Sequence, residues 1–176
     1  MNDIFITSFI AEQTPPPGCW NYESLDESDR NYRIRTANFD DAKYYDNNKL
    51  PAPDIRKPHI FSPSTFEKSP QYDGENNWYR FEGAAGTRMA TRTEVTSGFQ
   101  CSTLASGYLD LDSHPQLMDG VVQEGVKACF YAEPGPYYSK AKCWLTTNVT
   151  VQKCEGGYYV YKLPPVPGLG RYCSAT

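Results

Sequence analysis

The chain of 176 residues lacks several features by which common protein classes are recognised. No apolar run comes near the ~20 residues that a bilayer-spanning helix needs, so no membrane insertion is expected. Lysine and arginine are not clustered and the formal net charge is −4, so nucleic acid is not expected as a partner. There is no Cys-x-x-Cys motif and there are only two histidines, so the sequence predicts neither a metal site nor a cofactor.

A sustained apolar repeat of 3.6 residues is also missing, and this argues against long helices. Tyrosine and proline are abundant instead, with 14 residues each, and there are 13 glycines. This composition is typical of short strands joined by many turns. The predicted fold class is mostly β, with small antiparallel sheets, many loops and little helix; one short helix is expected around Val121 to Phe130.

The six cysteines point to the compartment in which the chain folds. An even count in a chain rich in tyrosine, proline and glycine predicts three disulfides formed in an oxidising environment, so the chain is expected to be secreted or to lie on the extracellular surface. Fifteen pairings are open on sequence grounds alone. The cysteines are Cys19, Cys101, Cys129, Cys143, Cys154 and Cys173.

The chain divides unevenly along its length. Residues 1–18 are interpreted as an N-terminal arm, because Ile4 to Ala11 is apolar but follows Asp3 rather than a basic residue, which favours an edge strand over a signal peptide. Residues 19–176 form the predicted domain. Within it, residues 31–71 contain five prolines and neither cysteine nor glycine, which predicts a long insertion: either a surface excursion or a binding loop.

Two candidate ligand-binding residues lie in a predicted strand at Asn77 to Glu82. Alternation places Tyr79 and Phe81 on one face, and Trp78 and Arg80 on the other. Aromatic and arginine side chains give large contact areas at modest entropic cost, so Trp78 and Arg80 are candidates for binding a sugar or a protein. The alternative is that they are ordinary core or strand-pair residues.

The clearest strand is CWLTTNVTVQKC, which ends at Cys154. Glycines 156 and 157 supply the positive φ values of a tight hairpin, after which YYVYKL returns as the second strand. Asn148 begins an Asn-Val-Thr sequon on the polar face of the first strand, and it is therefore the predicted N-glycosylation site. The alternative is an unmodified surface asparagine.

Other patterns that suggest chemistry are weaker. Residues 83–86, Gly-Ala-Ala-Gly, lack the further glycines or the Gly-Lys-Ser/Thr of a phosphate-binding loop and are interpreted as a bend after a strand. Asp110, Asp112 and Asp119 fit no calcium loop and are interpreted as turn residues. His114 has no nucleophile motif beside it. The chain is therefore predicted not to be an enzyme.

Four stretches occur in an order known from one family: CWNYESLDESDR, YDGENNWYRFEGAAGTRMA, LDLDSHPQLMDGVVQEGVKAC and VQKCEGGYYVYKLPPVPGLGRYC. With them the chain resembles the cysteine-rich extracellular domain of the uromodulin, pancreatic secretory granule glycoprotein 2 and oncoprotein-induced transcript 3 family. The resemblance covers Cys19 to Arg30 and Tyr72 to Ser174. It implies a secreted or cell-surface glycoprotein module.

The resemblance also implies a disulfide pairing. Cysteines of the family are replaced here near Asp73, Thr91, Lys142 and Pro167, and in the family those four form two complete disulfides. The six cysteines that remain would then pair as Cys19–Cys154, Cys101–Cys173 and Cys129–Cys143.

For function, the resemblance implies a non-catalytic extracellular recognition, adhesion or glycan-display module. Uromodulin and glycoprotein 2 display mannose-rich N-glycans that bacterial fimbriae bind, although the family sequons near Asp110 and Lys162 are absent here. One alternative is a lectin-like ligand-binding protein that uses Trp78, Arg80 or aromatic residues of the insertion. Another is a structural subunit of an extracellular filament, which predicts concentration-dependent self-assembly. The expected partner is an extracellular protein or a glycan.

Overall fold

The computed structural model describes residues 17–35, 77–132, 141–164, 166 and 170–176. Most of the N-terminal arm, including the edge strand expected at Ile4 to Ala11, and residues 36–71 of the predicted insertion lie outside the described residues. The strands within them are β1 (Tyr22–Leu25), β2 (Trp78–Phe81), β3 (Arg88–Met89), β4 (Ala105–Leu109), β5 (Val122–Ala132), β6 (Ala141–Lys153), β7 (Tyr159–Lys162), β8 (Gly170–Tyr172) and β9 (Ser174–Ala175). Helical structure there consists of short 3₁₀ turns at Pro17–Cys19, Ser28–Arg30 and Gly83–Ala85. The prediction of a mostly β, disulfide-bonded chain with little helix is confirmed.

Seven of the described strands form one sheet in the order β1-β2-β7-β6-β5-β4-β8, and β3 and β9 form a small antiparallel pair. The four central pairings are antiparallel, whereas the outermost pairings, β1 with β2 and β4 with β8, are parallel. The predicted hairpin of β6 and β7 is present, with Gly156 at φ +91° and Gly157 at φ +80° in its turn. The parallel pairings join segments distant in sequence, and strand patterns alone did not predict them.

One face of the sheet, here called the inner face, carries the main core. Alternate residues of the central strands point to it because successive side chains of a strand face opposite sides. Large aromatic side chains fill much of this core, with edge-on contacts between Phe81 and Tyr161 and between Phe130 and Tyr172. Burying so many aromatic and aliphatic side chains is the main source of stability, at roughly 25 cal/mol per Å² of apolar surface. The fully buried members include Leu25, Tyr79, Phe81, Met89, Leu109, Phe130, Val149, Val151, Tyr161, Leu163 and Tyr172.

The opposite face, the outer face, is covered at two places. The N-terminal cover is the segment from Gly18 to Tyr22, which lies over a small cluster of Trp78, Cys154 and Val160. The second cover is the loop of residues 90–104 between β3 and β4. It lies over β4 and the C-terminal half of β5, where a second cluster surrounds the Cys101–Cys173 disulfide. Its buried members are Ala90, Val95, Cys101, Tyr108, Cys129, Tyr131, Cys173 and Ala175.

An ion pair links the two edges of the sheet. Asp29 follows β1 at one edge, and its carboxylate lies 2.9 Å from Nη1 of Arg171 in β8 at the other edge. Tyr32, a few residues further on, donates its backbone N–H to the carbonyl of Ser174 at 2.9 Å. The sheet is therefore curled around its core, because one short segment reaches from its first strand to its last.

The prediction of a short helix around Val121 to Phe130 is wrong. The segment from Val122 onward is instead the N-terminal and central part of β5. The register with β6 shifts between Gln123 and Val126, and Gly125 in this bulge has φ +67°. A bulge inserts one extra residue and shifts the alternation by one position. Val122 and Val126, on either side of Gly125, consequently lie on opposite faces of the sheet although they are four residues apart, and simple alternation does not predict this strand.

The Gly-Ala-Ala-Gly stretch forms a bend, as predicted. Residues 83–85 make a 3₁₀ turn directly after β2, and Gly86 then adopts φ +119° and ψ −166°. This backbone region is accessible essentially to glycine alone. A Cβ atom at Gly86 would also collide with the backbone carbonyl of Ala175 in β9. Gly86 is therefore required twice, for its own conformation and for the close approach of the C-terminal strand.

We expect Gly86→Ala to destabilise the domain more than Gly157→Ala, which is a matched control. Gly157 also has positive φ, but no atom lies within 4 Å of a Cβ built there. The control substitution should cost about 1 kcal/mol of unfolding free energy from backbone strain. Gly86→Ala should cost about 1–3 kcal/mol more because it also forces an overpacked contact. Urea unfolding with the disulfides intact measures both; equal losses would contradict the proposed contact with Ala175.

Candidate functional site

A strip of the outer face stays open between the two covers, and Asn148 lies in it. Asn148 pairs with Lys127 across β5 and β6, and both side chains are exposed, as is that of Thr146. Thr150 is half-buried. These four residues, Lys127, Thr146, Asn148 and Thr150, are called the open strip. The asparagine of the sequon thus lies on the side of β6 that faces away from the core.

Trp78 lies under the N-terminal cover. Only 8% of the residue is exposed, and it belongs to the cluster with Cys154 and Val160. The backbone of Gly18 packs so closely on the indole that a Cβ atom there would collide with the ring. Lys162 Nζ lies 5.2 Å from the ring centroid. Most of the indole surface is therefore buried against other residues of the domain.

Arg80 is enclosed by its own neighbours. The centre of its guanidinium lies 4.0 Å from the ring centroid of Tyr158 and 5.5 Å from that of Tyr22. Nη1 donates to the hydroxyl of Tyr22 at 2.8 Å, and Nε lies 3.4 Å from the Glu82 carboxylate. Tyr158 in turn donates to the carbonyl of Cys19 at 3.1 Å. Arg80 therefore links Tyr22, the last residue of the N-terminal cover, to Tyr158, which is itself hydrogen-bonded to that cover.

A ligand-binding role for Trp78 and Arg80 stays a prediction. The burial of the indole and the internal partners of the guanidinium favour the alternative weighed from the sequence, in which both residues stabilise the strands. A ligand at this place would have to compete with the N-terminal cover. Sequence alternation correctly placed the two side chains on one face, but it could not show what covers that face.

His114 is a buried structural residue. Its Nε2 lies 2.7 Å from the hydroxyl of Tyr161, which also accepts the backbone N–H of Met89 at 3.0 Å. Because the carbonyl of Pro115 can only accept, Nδ1 carries the proton and donates to it at 3.2 Å, so Nε2 accepts from the Tyr161 hydroxyl. Burial lowers the pKa of His114 to about 4 and raises the pKa of Tyr161. The imidazole is consequently neutral near pH 7 and already committed to internal hydrogen bonds.

Asp110, Asp112 and Asp119 all lie beside cationic side chains, and the first two share Arg92, which is 3.6 Å from Asp110 and 2.7 Å from Asp112. In the part of the chain that the structure describes, no group of three or more histidine, cysteine, aspartate or glutamate side chains is arranged to hold a metal ion. Hydrogen bonding to Arg92 lowers the pKa of Asp112. The cationic partners are Lys127 for Asp110 at 3.1 Å, Arg92 for Asp112 at 2.7 Å and Lys153 for Asp119 at 3.3 Å.

Sequence reasoning missed a polar cluster at the second cover. Glu94 forms a two-point ion pair with Arg88 at 2.7 and 2.9 Å, and it accepts the backbone N–H and the hydroxyl of Thr91. Burial raises the pKa of Glu94, but these hydrogen bonds outweigh it, so the net shift is downward. The Thr-x-x-Glu spacing at residues 91–94 was the available signal, since it matches a local side-chain cap.

Gln100 was missed as well, and no sequence pattern marks it. Its amide is fully buried: Oε1 accepts the backbone N–H groups of Thr96 and Ser97, and Nε2 donates to the carbonyls of Tyr32 and Glu94. The residue therefore ties the loop after Glu94 to the segment around Tyr32. Such a buried amide is stable only because all of its hydrogen-bonding groups have partners.

Comparisons with known proteins locate the chain in a family. A model of the uromodulin-like domain matches residues 79–174, more than half of the chain. The chain belongs to the uromodulin-like domain family. Within the described residues, no helix is long and apolar enough to cross a membrane.

Curated relatives agree with this assignment. Uromodulin of Mus musculus is 35% identical over 103 residues, which are 57% of this chain and 14% of the relative. The pancreatic secretory granule membrane major glycoprotein GP2 of Homo sapiens is 37% identical over 101 residues, 56% of this chain and 17% of the relative. The matched segment thus spans less than a fifth of these relatives. As a member of this family, the chain is a secreted or extracellular domain.

The disulfides lie at both ends of the sheet of this uromodulin-like domain. Cys19 is joined to Cys154, Cys101 to Cys173 and Cys129 to Cys143, with Cα atoms 5.6, 5.5 and 4.9 Å apart. These pairs coincide with those that the resemblance implies. The first attaches the N-terminal cover to the turn after β6, and the second attaches the second cover to the segment between β8 and β9. Each cover is therefore covalently bound to the sheet.

Thr91 is buried in this uromodulin-like domain and hydrogen-bonded to Glu94. Its backbone also forms a parallel bridge with Leu109. Hydrogen bonds therefore hold this part of the chain against the end of β4.

Digestion of the unreduced protein followed by mass spectrometry is expected to yield three linked peptide pairs. They should contain Cys19 with Cys154, Cys101 with Cys173, and Cys129 with Cys143. The physical reason is that each cysteine pair lies within bonding distance in the folded chain. A peptide that joins Cys129 to Cys173 would contradict this pairing.

We expect His114 to make stability pH-dependent. The pKa of His114 in the folded state, about 4, lies below the ordinary value of 6.5, so protons bind more readily to the unfolded chain between these values. The stability that neutral His114 contributes is complete above pH 6.5 and is lost as pH falls toward 4. The free energy of unfolding should fall by on the order of 3 kcal/mol over this range. His114→Gln should be less stable at pH 7 and should lose less stability on acidification. If the free energy of unfolding changes with pH in the same way in both proteins, this role of His114 is contradicted.

Proposed function

We propose that the chain is a non-catalytic extracellular recognition module that displays an N-linked glycan from Asn148. The observation that carries this proposal is the position of the sequon in the open strip, on a long central strand whose next residue, Val149, is buried in the core. A glycan at Asn148 would project from a rigid base toward solvent. It could meet a glycan-binding partner without disturbing the domain.

The surroundings of Asn148 support this proposal. The exposed cross-strand neighbour is Lys127, whose Nζ is drawn toward Asp110 at 3.1 Å. Both covers end short of the open strip, so the first sugar residues would have space on the outer face. The strand also fixes the direction of the glycan stem, because Asn148 pairs with Lys127 of β5 and the nearby Thr150 pairs with Lys162 of β7. These are the properties that display requires: exposure, a defined direction and an undisturbed core.

The internal partners of the acid and base side chains support the non-catalytic part of the proposal. Glu82 contacts Arg80 and the hydroxyl of Ser24, and Glu94 is held by Arg88. His114 is engaged with Tyr161, as described above. A general acid or base must reach the proton that it transfers. These side chains are instead used to join segments of the fold.

The relatives support a passage through the secretory pathway. GP2 is, by its name, a membrane glycoprotein of secretory granules. We infer that this chain is likewise a glycoprotein and that its partner is an extracellular protein, such as an adhesin, that binds the glycan. Because the chain matches only a small part of its relatives, their partners are carried over as part of this proposal.

The glycan can be tested with a set of matched variants secreted from eukaryotic cells. N-glycanase should lower the mass of the unaltered chain and of Thr150→Ser, because serine preserves the sequon. It should leave Asn148→Gln and Thr150→Ala unchanged. A mannose-binding fimbrial adhesin serves as the recognition probe, and we expect it to bind the first two proteins and not the last two.

The results separate the two parts of the proposal. If the unaltered chain shows no mass change, Asn148 is not glycosylated and the display proposal is wrong. If the mass changes but the adhesin does not bind, the glycan is present and mannose-dependent recognition is wrong. A thermal melting curve for each variant checks that loss of binding does not result from unfolding.

A further inference from the structure

Large hydrophobic side chains that remain exposed are unevenly distributed over the described part of the chain. There are five of them, and four lie near the Cys19–Cys154 disulfide, whereas the fifth lies elsewhere between two arginines. Trp20 and Met118 are the most exposed, at 72% and 77%. The five are Trp20, Ile34, Met118, Val121 and Val122. Contiguous exposed apolar side chains mark interaction sites more often than isolated ones do.

Backbone and side-chain contacts bring the group of four together. Trp20 follows Cys19, whose sulfur lies 3.1 Å from the side chain of Gln152. Gln152 pairs with Val122 across β5 and β6. The next residue of β6, Lys153, donates its backbone N–H to Val121 at 3.2 Å. Met118 accepts the N–H of Val121 at 3.1 Å in the turn before β5.

This surface is also acidic. Asp119, Glu124 and Glu155 are exposed beside the four apolar residues, on the turn before β5, on β5 and on the turn after β6. The nearby Lys153 is paired with Asp119 at 3.3 Å. Two carboxylates are thus in excess over the cation. The surface is called the acidic end and consists of Trp20, Met118, Asp119, Val121, Val122, Glu124 and Glu155.

The fifth exposed side chain, Ile34, belongs to a surface of opposite charge. Arg33, Ile34 and Arg35 are all exposed, and this surface is called the basic tip. Its backbone is anchored, because Tyr32 donates to Ser174 and Arg35 forms an antiparallel bridge with Gln100. The Arg33 guanidinium lies 5.5 Å from the ring centroid of Tyr32. The basic tip therefore presents one aliphatic side chain flanked by two cations.

The two surfaces lie toward opposite ends of β5. The acidic end includes Val122, the first residue of the strand. The basic tip is attached to Gln100, which donates its backbone N–H to the hydroxyl of Ser106 in β4. Ser106 in turn pairs with Tyr131, near the C-terminal end of β5. An eleven-residue strand is about 33 Å long at ~3.3 Å per residue. A single copy cannot bring two surfaces so far apart into contact with each other.

We propose that the acidic end of one copy binds the basic tip of a second copy. The charges are complementary, and Trp20 with its apolar neighbours gives Ile34 a surface on which to pack. Because the two surfaces differ, the contact is heterologous, and successive copies add head to tail instead of closing as a symmetric dimer. The contact area is small, so association is weak and depends on concentration. This interaction is independent of the glycan proposed at Asn148.

Sedimentation velocity of the full 176-residue chain tests the proposal. The average sedimentation coefficient should rise steadily with protein concentration, and added salt should reduce the rise because it screens the charges. Trp20→Ala should weaken association at least about tenfold, since a central tryptophan commonly dominates such contacts. Lys142→Glu is the charge control: Lys142 is exposed and lies outside both surfaces, so it should not alter association.

A charge exchange gives the decisive result. A chain with Glu124→Lys and Glu155→Lys, and another with Arg33→Glu and Arg35→Glu, should each remain monomeric alone because like charges then face each other. Mixed in equal amounts, they should associate, since each altered surface meets a complementary one. This rescue also shows that both variants are folded.

Three results would overturn the proposal. One is an unaltered chain that stays monomeric at every concentration reached; another is association that the Trp20 and charge variants leave unchanged. The third is the absence of rescue in the mixture. If association stops at a dimer of the unaltered chain, the contact is symmetric and the head-to-tail arrangement is wrong.

Discussion

The ladder of hydrogen bonds between β5 and β6 is the interaction on which the other parts of the structure depend. These are the two longest of the described strands and they lie at the centre of the sheet. Their side chains on the inner face form the middle of the core, and some of their side chains on the outer face form the open strip. The Cys129–Cys143 disulfide joins them toward one end, and Cys154 directly follows β6 at the other. The N-terminal cover is thus attached directly to this central pair, and the second cover is attached to it through β8 and β4.

Sequence patterns predicted those elements in which local chemistry and side-chain alternation agree. The strand before Cys154, its glycine turn and the bend at Gly83–Gly86 all have residues that the backbone conformation requires. Prediction failed at Gly125, where one extra residue in the strand places Val122 and Val126 on opposite faces although their spacing fits a single face. It also could not supply the parallel pairings of β1 and β8, because these depend on where distant segments meet after the sheet curls.

Polar residues that are held inside the fold show a different limit of sequence reasoning. His114, Glu94 and Gln100 are each fixed by partners from several segments, and their roles follow from those partners. Considered alone, His114 resembles a possible base and Glu94 a possible acid. In the folded chain the first is neutral and bonded to Tyr161, and the second is ionised and bonded to Arg88. Residue type therefore indicated which chemistry was available, but only the fold determined how it is used.

The disulfide connectivity also determines how the domain would bear a pulling force. Tension applied between Cys19 and Cys173 would pass through the Cys19–Cys154 bond, leaving only the short segment between Cys154 and Cys173 free to lengthen, by roughly 60 Å at ~3.4 Å per residue. Strands β2 to β6 lie outside this shortest covalent path. An extracellular domain built in this way would keep the strand that carries Asn148 folded while its C-terminal strands absorbed the load.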